Sequence, residues 1–444
     1  MKSFYLFFSV LFINIFSANA ESQKPNILII VADDMGWADV GYHGSDIKTP
    51  NIDRLCKQGI ELDQFYVAPM CTPTRVSLLT GRYWSRFGNT KPSNERVLPW
   101  GTETLASVFR DHGYRTAISG KWHLGSSPKW GARKFGFETS YGSLAGGVNP
   151  INHLYKKGIY SKTWHRNDEL IDEEGHATDL IANEALRVIN EKSDKPFLLY
   201  VPFTAVHTPF DEPQKWLDSA AHIDKDRRQY AACAQHMDDS IGQFVTALKK
   251  NNKFENTIII FFSDNGGTNG DDSLNYPNTK KTTKVNGLNH PLRAWKTHVY
   301  EGGTRVPAFV TWKGTFKSGK TASPLSVTDI MPTLCDLTGA KPKNEIKWDG
   351  LNILNQLKSI QNSTKPRLLY CHGVASKAFS LRYGNWKLVT QAKMKSIELF
   401  NIANDPYEKN NVAKQYPEKV QELQKLLKIE QSKDNDDVPD RSKD

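Results

Sequence analysis

Cys71 stands two residues before Pro73 and four before Arg75, in the run Pro69-Met70-Cys71-Thr72-Pro73-Thr74-Arg75. Proline has a fixed φ and no N–H, so Pro73 suits the first turn of a helix, and Thr72 can cap it. Val76, Leu78 and Leu79 supply an apolar face behind it. Cys71 is therefore expected just before a helix N-terminus, where the helix dipole stabilises anions. Arg75, one turn on, is placed to reach back to the same spot. A cysteine there suits an activated nucleophile, and equally a buried free thiol at a helix start.

Four other places carry chemistry. Asp33 and Asp34 are adjacent carboxylates, which repel unless a cation holds them. Asp264 and Asn265 offer hard oxygen donors, and Gly266-Gly267 after them let the backbone approach closely. A set with only oxygen donors selects Ca²⁺ or Mg²⁺ over zinc. Lys121 and His123, at i and i+2, face the same side in a strand or loop. A cation beside an imidazole suits an anionic substrate and proton transfer; a solvated lysine and a packed histidine are the plain alternative. His207 lies in a Thr204-Ala205-Val206-His207-Thr208-Pro209 turn.

These residues need strands to carry them. Residues 25–32, 196–203 and 257–263 are continuous apolar runs of strand length, as expected of parallel strands buried on both faces. The first ends in Asp33-Asp34, the second in the turn with His207, the third in Asp264-Asn265. Ligands of α/β sheets gather at the carboxyl ends of strands. Shorter strands are expected at 61–66, 115–119 and 306–312, with helices ending at Gly59 and covering 103–112, 176–192, 226–251 and 328–337. This alternation argues a parallel α/β sheet with helices on both faces. Segment 126–175 is irregular, and its Trp130, Trp164, His165 and Arg166 read as sugar-stacking residues or as a satellite core under a long loop. Segment 269–289 is polar and reads as a mobile loop. Short strands at 367–371, 378–382, 386–390 and 398–401, then a helix at 417–429, form a small antiparallel sheet with one covering helix.

The chain has 444 residues, a net charge of +10 and a pI near 9.1. A basic chain without a nucleic-acid motif fits a polyanionic substrate. Residues 1–20, an apolar run ending in Ser17-Ala18-Asn19-Ala20, read as a cleaved signal peptide. The mature protein is then exported, to the periplasm or beyond the cell, with no membrane span. The remaining divisions are 21–340 as the N-terminal α/β catalytic domain, 341–432 as the C-terminal α+β subdomain and 433–444 as a charged disordered tail. Cys56, Cys233, Cys335 and Cys371 form no C-x-x-C pair, and are expected buried and free.

The C-x-P-x-R spacing, followed by Ser77-Leu78-Leu79-Thr80-Gly81-Arg82, resembles the signature of the formylglycine-dependent sulfatases. The resemblance extends in family order to Gly120-Lys121-Trp122-His123-Leu124-Gly125, to His207, and to Lys296 before Glu301-Gly302-Gly303-Thr304-Arg305-Val306-Pro307. It continues in the tail with Leu381-Arg382-Tyr383-Gly384-Asn385-Trp386-Lys387-Leu388, then Glu398-Leu399-Phe400 and Asp405-Pro406. It implies an alkaline-phosphatase-like, mixed but mostly parallel sheet flanked by helices. It implies one Ca²⁺ held by Asp33, Asp34, Asp264, Asn265 and the residue at 71. It implies that Cys71 is oxidised by a formylglycine-generating maturase, and that the aldehyde hydrate attacks sulfur. Arg75 would support that group, Lys121 and Lys296 would neutralise the sulfate, His207 would protonate the leaving sugar oxygen, and His123 would act as a base.

The stretch Asp34-Met35-Gly36-Trp37-Ala38-Asp39-Val40-Gly41-Tyr42-His43-Gly44-Ser45 and Met70-Cys71-Thr72-Pro73-Thr74-Arg75 look most like the arylsulfatase B, or N-acetylgalactosamine-4-sulfatase, branch. That branch implies 4-O-sulfate on a galacto-configured sugar: a carrageenan-type galactan, or chondroitin or dermatan sulfate. Two rivals stand beside this reading. One is a phosphoester or phosphonate hydrolase of the same superfamily; the other is a non-catalytic binder of sulfated glycan, if Cys71 is never oxidised.

Overall fold

A computed structural model describes residues 24–270, 273–279, 287–360, 362–363, 365–391 and 396–444. The expected signal peptide at 1–20 and part of the 269–289 loop lie outside the described residues. The main sheet is built from β1 (Asn26–Ala32), β2 (Ile60–Tyr66), β3 (Arg115–Lys121), β4 (Thr139–Ser143), β5 (Trp164–Arg166), β6 (Glu169–Leu170), β7 (Phe197–Pro202), β8 (Thr257–Ser263), β9 (Arg305–Val306), β10 (Ala308–Thr311) and β11 (Gly319–Ser326). The helices are α1 (Pro50–Gln58), α2 (Cys71–Thr80), α3 (Leu105–Asp111), α4 (Ala177–Asn190), α5 (Gln214–Ser219), α6 (Arg228–Lys250), α7 (Glu301–Thr304), α8 (Ile330–Thr338), α9 (Leu354–Ser359) and α10 (Pro417–Gln431).

The apolar runs form the centre because their side chains alternate between two cores. Ile27, Ile29 and Val31 of β1 join one apolar cluster; Leu28, Ile30 and Ala32 join the other. β7 and β8 flank β1, both parallel to it, and divide their side chains in the same way. α1, α4 and α6 cover the face of Leu28 and Ile30, while α2, α3 and α8 cover the face of Ile27 and Ile29. The sheet runs β11-β2-β10-β8-β1-β7-β3-β4-β5-β6. It is mixed: β10 runs antiparallel to β8 and to β2, and β5 antiparallel to β4.

Several expectations are corrected. The strand expected at 306–312 breaks at Pro307, which has no N–H for the ladder, into β9 and β10. The irregular 126–175 segment supplies β4, β5 and β6. Its Trp130 and Trp164 are buried, at 4% and 3% exposure, so they are packing residues and not sugar platforms. Trp164 packs edge-on against Tyr141 and stacks on His153. All five cysteines are buried and free, as expected of a core large enough without staples.

The C-terminal sheet holds β12 (Leu368–His372), β13 (Ala378–Tyr383), β14 (Trp386–Gln391) and β15 (Ile397–Asn401), antiparallel and in that order. Leu423 and Leu427 of α10 pack on it, and its Leu381, Leu388 and Leu399 belong to the same apolar cluster as Ile27. Residues 433–444, expected from their charge to be a disordered tail, lie against arginines of the segment after α2. Asp434 pairs with Arg86 at 2.9 Å, Asp436 with Arg82 at 2.6 Å and Asp444 with Arg96. Buried guanidinium groups need carboxylates, and the acidic tail supplies them. No helix among the described residues is long and apolar enough to cross a membrane.

Candidate active site

α2 begins at Cys71 itself, two residues earlier than expected, with Met70 as its cap residue. Thr72 does not cap it: its hydroxyl donates to the carbonyl of His123 at 3.1 Å. Every residue of α2 is buried, so its N-terminus points into the protein. Arg75 reaches the same place through Asp264. Its guanidinium donates to the Lys121 carbonyl at 2.6 Å and to Asp264 Oδ2 at 2.7 Å.

The strand ends then close round Cys71. β1 delivers Asp33 and Asp34, β8 delivers Asp264 and Asn265, β3 ends on Lys121, and the turn after β7 carries His207. Lys121 Nζ bonds to Asp33 Oδ2. Lys296 Nζ lies 2.6 Å from Asp34 Oδ1 and 2.7 Å from Oδ2. Asn265 donates to Asp34 Oδ1 at 2.7 Å, and His207 Nε2 is 3.7 Å from Asp34 Oδ2. His123 Nδ1 is 3.4 Å from Cys71 Sγ. All ten residues singled out from the sequence as site candidates thus meet in one place, mostly buried.

Three carboxylates, Asp33, Asp34 and Asp264, face three cations, Arg75, Lys121 and Lys296. Burial alone would raise Asp34, but Lys296, His207 and the bonds from Lys296 and Asn265 hold it well below the carboxylate range. Burial and the charge of Asp33 push Asp264 up to about 6, against Arg75 and Lys121. Burial and then the charges of Lys121 and Arg75 keep His123 well below the usual imidazole range, so it is neutral and can accept a proton. Burial also raises the Cys71 thiol, despite Lys121 and Lys296. As a thiol, Cys71 is therefore protonated and a poor nucleophile.

The donor set fits a hard cation. Asp33, Cys71 and Asp264 each place one ligand atom within 4.8 Å of the others. Asp33 Oδ1 and Asn265 Oδ1 are buried without hydrogen-bond partners, which is the state of oxygens that await a metal.

Asp34, Cys71, Lys121, His123, His207 and Lys296 line a cavity of about 300 Å³. Its far wall comes from the two segments whose sequence is least regular, where substrate choice is expected to reside. Gly146, Gly147 and Tyr155 come from the irregular segment after β4, and Tyr276 from the 269–289 loop. The tyrosine rings meet edge-on at 6.0 Å.

Comparison with known proteins gives one consistent picture. Residues 25–340 match the family model described as Sulfatase, and residues 294–435 match one described as N-sulphoglucosamine sulphohydrolase, C-terminal. Arylsulfatase J of Mus musculus is 30% identical over 93% of this chain and 76% of its own. N-acetylgalactosamine-6-O-sulfatase of Bacteroides thetaiotaomicron is 29% identical over 91% of this chain and 93% of its own. The crystal structure of Ps i-CgsB in complex with k-i-k-neocarrahexaose is 32% identical and superposes with a TM-score of 0.83, covering 95% of this chain and 96% of that one.

Proposed function

The chain belongs to the sulfatase family, and on that premise we propose that it removes 4-O-sulfate from a galacto-configured sulfated glycan, a carrageenan-type galactan first of all. The observation that carries the chemistry is the meeting of Cys71 with Asp34, Lys121, Lys296, His123 and His207 on one cavity, with Asp33 bonded to Lys121 and Arg75 to Asp264. The substrate class is supported by the likeness to a structure solved with a neocarrahexaose. It also agrees with the resemblance of residues 34–45 to the 4-sulfatase branch.

The residues present divide the work. Lys121 and Lys296 bring positive charge to a bound sulfate and hold its oxygens. His207 Nδ1 lies 2.6 Å from the Thr208 carbonyl and donates to it, which leaves Nε2 to carry the proton for the departing sugar oxygen. His123, neutral and facing residue 71, takes the proton from that side chain. Cys71 oxidised to formylglycine supplies a geminal diol in place of a thiol, and Arg75 holds Asp264 beside it. Asp33, Asp34, Asp264 and Asn265, with residue 71, would hold a Ca²⁺, which would supply positive charge beside the diol and the bound sulfate. The basic chain suits delivery of a polyanion, and the 1–20 leader suits export.

A second reading concerns position only. Relatives named N-acetylgalactosamine-6-sulfatase, such as that of Mus musculus at 30% identity, favour 6-O-sulfate on the same sugar configuration. Incubation with oligosaccharides sulfated only at O4 or only at O6, with NMR of the products, decides. Release from the O4 series supports the proposal and release from the O6 series alone overturns it. A phosphoester hydrolase would show faster turnover of the matching phosphate ester.

A further inference from the structure

The backbone that presents Lys296 is in an unfavourable conformation. Ala294 and Thr297, on either side of it, have φ of 66° and 79°. A β-branched residue in the left-handed region costs energy and persists only where its surroundings over-determine it. The nearest support is the Glu301-Gly302-Gly303 pedestal. A Cβ on Gly302 would come within 2.3 Å of the Ala294 carbonyl oxygen, and one on Gly303 within 2.0 Å of that of His298. The two glycines therefore carry the 293–298 loop directly, and the Gly302 N–H donates to the Arg293 carbonyl at 2.8 Å.

What fixes the pedestal comes from the C-terminal subdomain. Lys387 Nζ of β14 donates to Glu301 Oε1 at 2.8 Å and pairs with Glu408 Oε1 at 2.9 Å. Glu408 Oε2 accepts from the Glu301 backbone N–H at 2.7 Å. Tyr66 donates to the other Glu301 oxygen at 2.7 Å. Glu301, Lys387 and Glu408 are 0%, 3% and 1% exposed. A second tie runs to the loop itself: Glu398 of β15 accepts from Arg293 at 3.2 Å and from Tyr300, and Arg293 stacks on the Tyr300 ring at 3.9 Å.

We propose that Lys387 and Glu408 are positioning residues: the C-terminal subdomain sets the place of Lys296 at the sulfate by clamping Glu301. This rests on the reading of Lys296 given under Proposed function. A buried ion triad is a poor source of stability but a good source of fixed geometry, and a misplacement of about 1 Å at a reacting centre costs about 100-fold.

A double-mutant cycle tests it. In the otherwise native chain, Lys387→Met lowers kcat/KM about 10- to 100-fold, and competitive inhibition by inorganic sulfate weakens with it. On a Lys296→Met background, Lys387→Met has no further effect, because the group it positioned is gone. Glu398→Ala, which cuts the half-exposed second tie, is run through the same cycle in case the buried change unfolds the chain. Its effect also vanishes on the Lys296→Met background. If both losses persist undiminished there, the subdomain acts on stability and not through Lys296, and the inference is wrong. If Lys296→Met alone leaves turnover and sulfate inhibition unchanged, the reading of Lys296 itself fails, and the inference falls with it.

Discussion

Lys296 Nζ sits within 2.7 Å of both carboxylate oxygens of Asp34, and the two side chains come from segments 262 residues apart. Each is the other's buried counter-charge. Removing Lys296 alone leaves an unpaired buried carboxylate, so Lys296→Met is expected to cost about 3–5 kcal/mol of stability. The double variant Lys296→Met/Asp34→Asn regains most of that, read by denaturant titration, while its kcat/KM stays at or below the low residual value of Lys296→Met. Recovered activity in the double variant contradicts the assignment of both residues to the site.

His207 is assigned to the leaving oxygen, and the consequence depends on the leaving group. His207→Ala is expected to lower kcat on a sugar sulfate about 10²- to 10⁴-fold. An activated aryl sulfate, whose phenolate leaves unprotonated, is largely spared. Equal losses on both substrates, measured by steady-state kinetics, remove His207 from that role.

Five residues beyond His207, Glu212 anchors the turn to the helices below. His236 of α6 bonds Glu212 at 2.8 Å and Asp179 at 2.9 Å, and His176 lies 3.4 Å from Glu212. Burial disfavours the imidazolium, but Asp179 and Glu212 outweigh it and raise His236 to about 9. Burial likewise opposes Glu212, yet His176 and His236 bring it down to about 2. A raised histidine stabilises fully below its unfolded value and loses this as pH climbs through its folded one. The His236 contribution is thus complete below about pH 6.5 and fades toward pH 9. Glu212 works from the other side, present above about pH 4.5 and lost only toward pH 2. Unfolding free energies of the native chain and of His236→Gln are expected to differ most near pH 5–6 and to converge above pH 9. A difference that grows above pH 9 contradicts the pairing.

Chelation provides a further check. If Asp33 Oδ1 and Asn265 Oδ1 are buried to hold a cation, Ca²⁺ at 100 times its dissociation constant adds about 2.7 kcal/mol of stability. The melting temperature should fall with a chelator and return with Ca²⁺. Asp264→Asn should shrink that shift. A melting temperature indifferent to both treatments argues against a metal at these oxygens.

What was legible in the sequence follows from how far each signal reaches along the chain. β1, β7 and β8 are buried on both faces, so they wrote continuous apolar runs, and the residues just past their ends marked the site. β11, with the sequence GKTASPLS and a half-exposed face, has the composition of a loop; it is a strand because β2 pairs with it. β4 and β5 are short and polar for the same reason. The start of α2 was misplaced because Thr72 spends its hydroxyl on His123, 51 residues away, where no local capping rule looks. The aromatic residues of segment 126–175 were legible as a group but not by role: Trp130 and Trp164 went to packing, and Tyr155 to the cavity wall. The clamp on Glu301 was invisible, since its partners Lys387 and Glu408 are separated from it by 86 and 107 residues.

If the residue at 71 acts as formylglycine and not as a thiol, activity must follow its conversion. Mass spectrometry of the peptide spanning Cys71, on preparations with and without a co-expressed maturase, measures the fraction converted, and the rate of sulfate release from a sulfated galactan oligosaccharide is measured on the same samples. Activity is expected to be proportional to the converted fraction and to extrapolate to zero for the unmodified chain, with Cys71→Ala inactive at every level. Full activity in a preparation whose peptide carries only unmodified cysteine would contradict it.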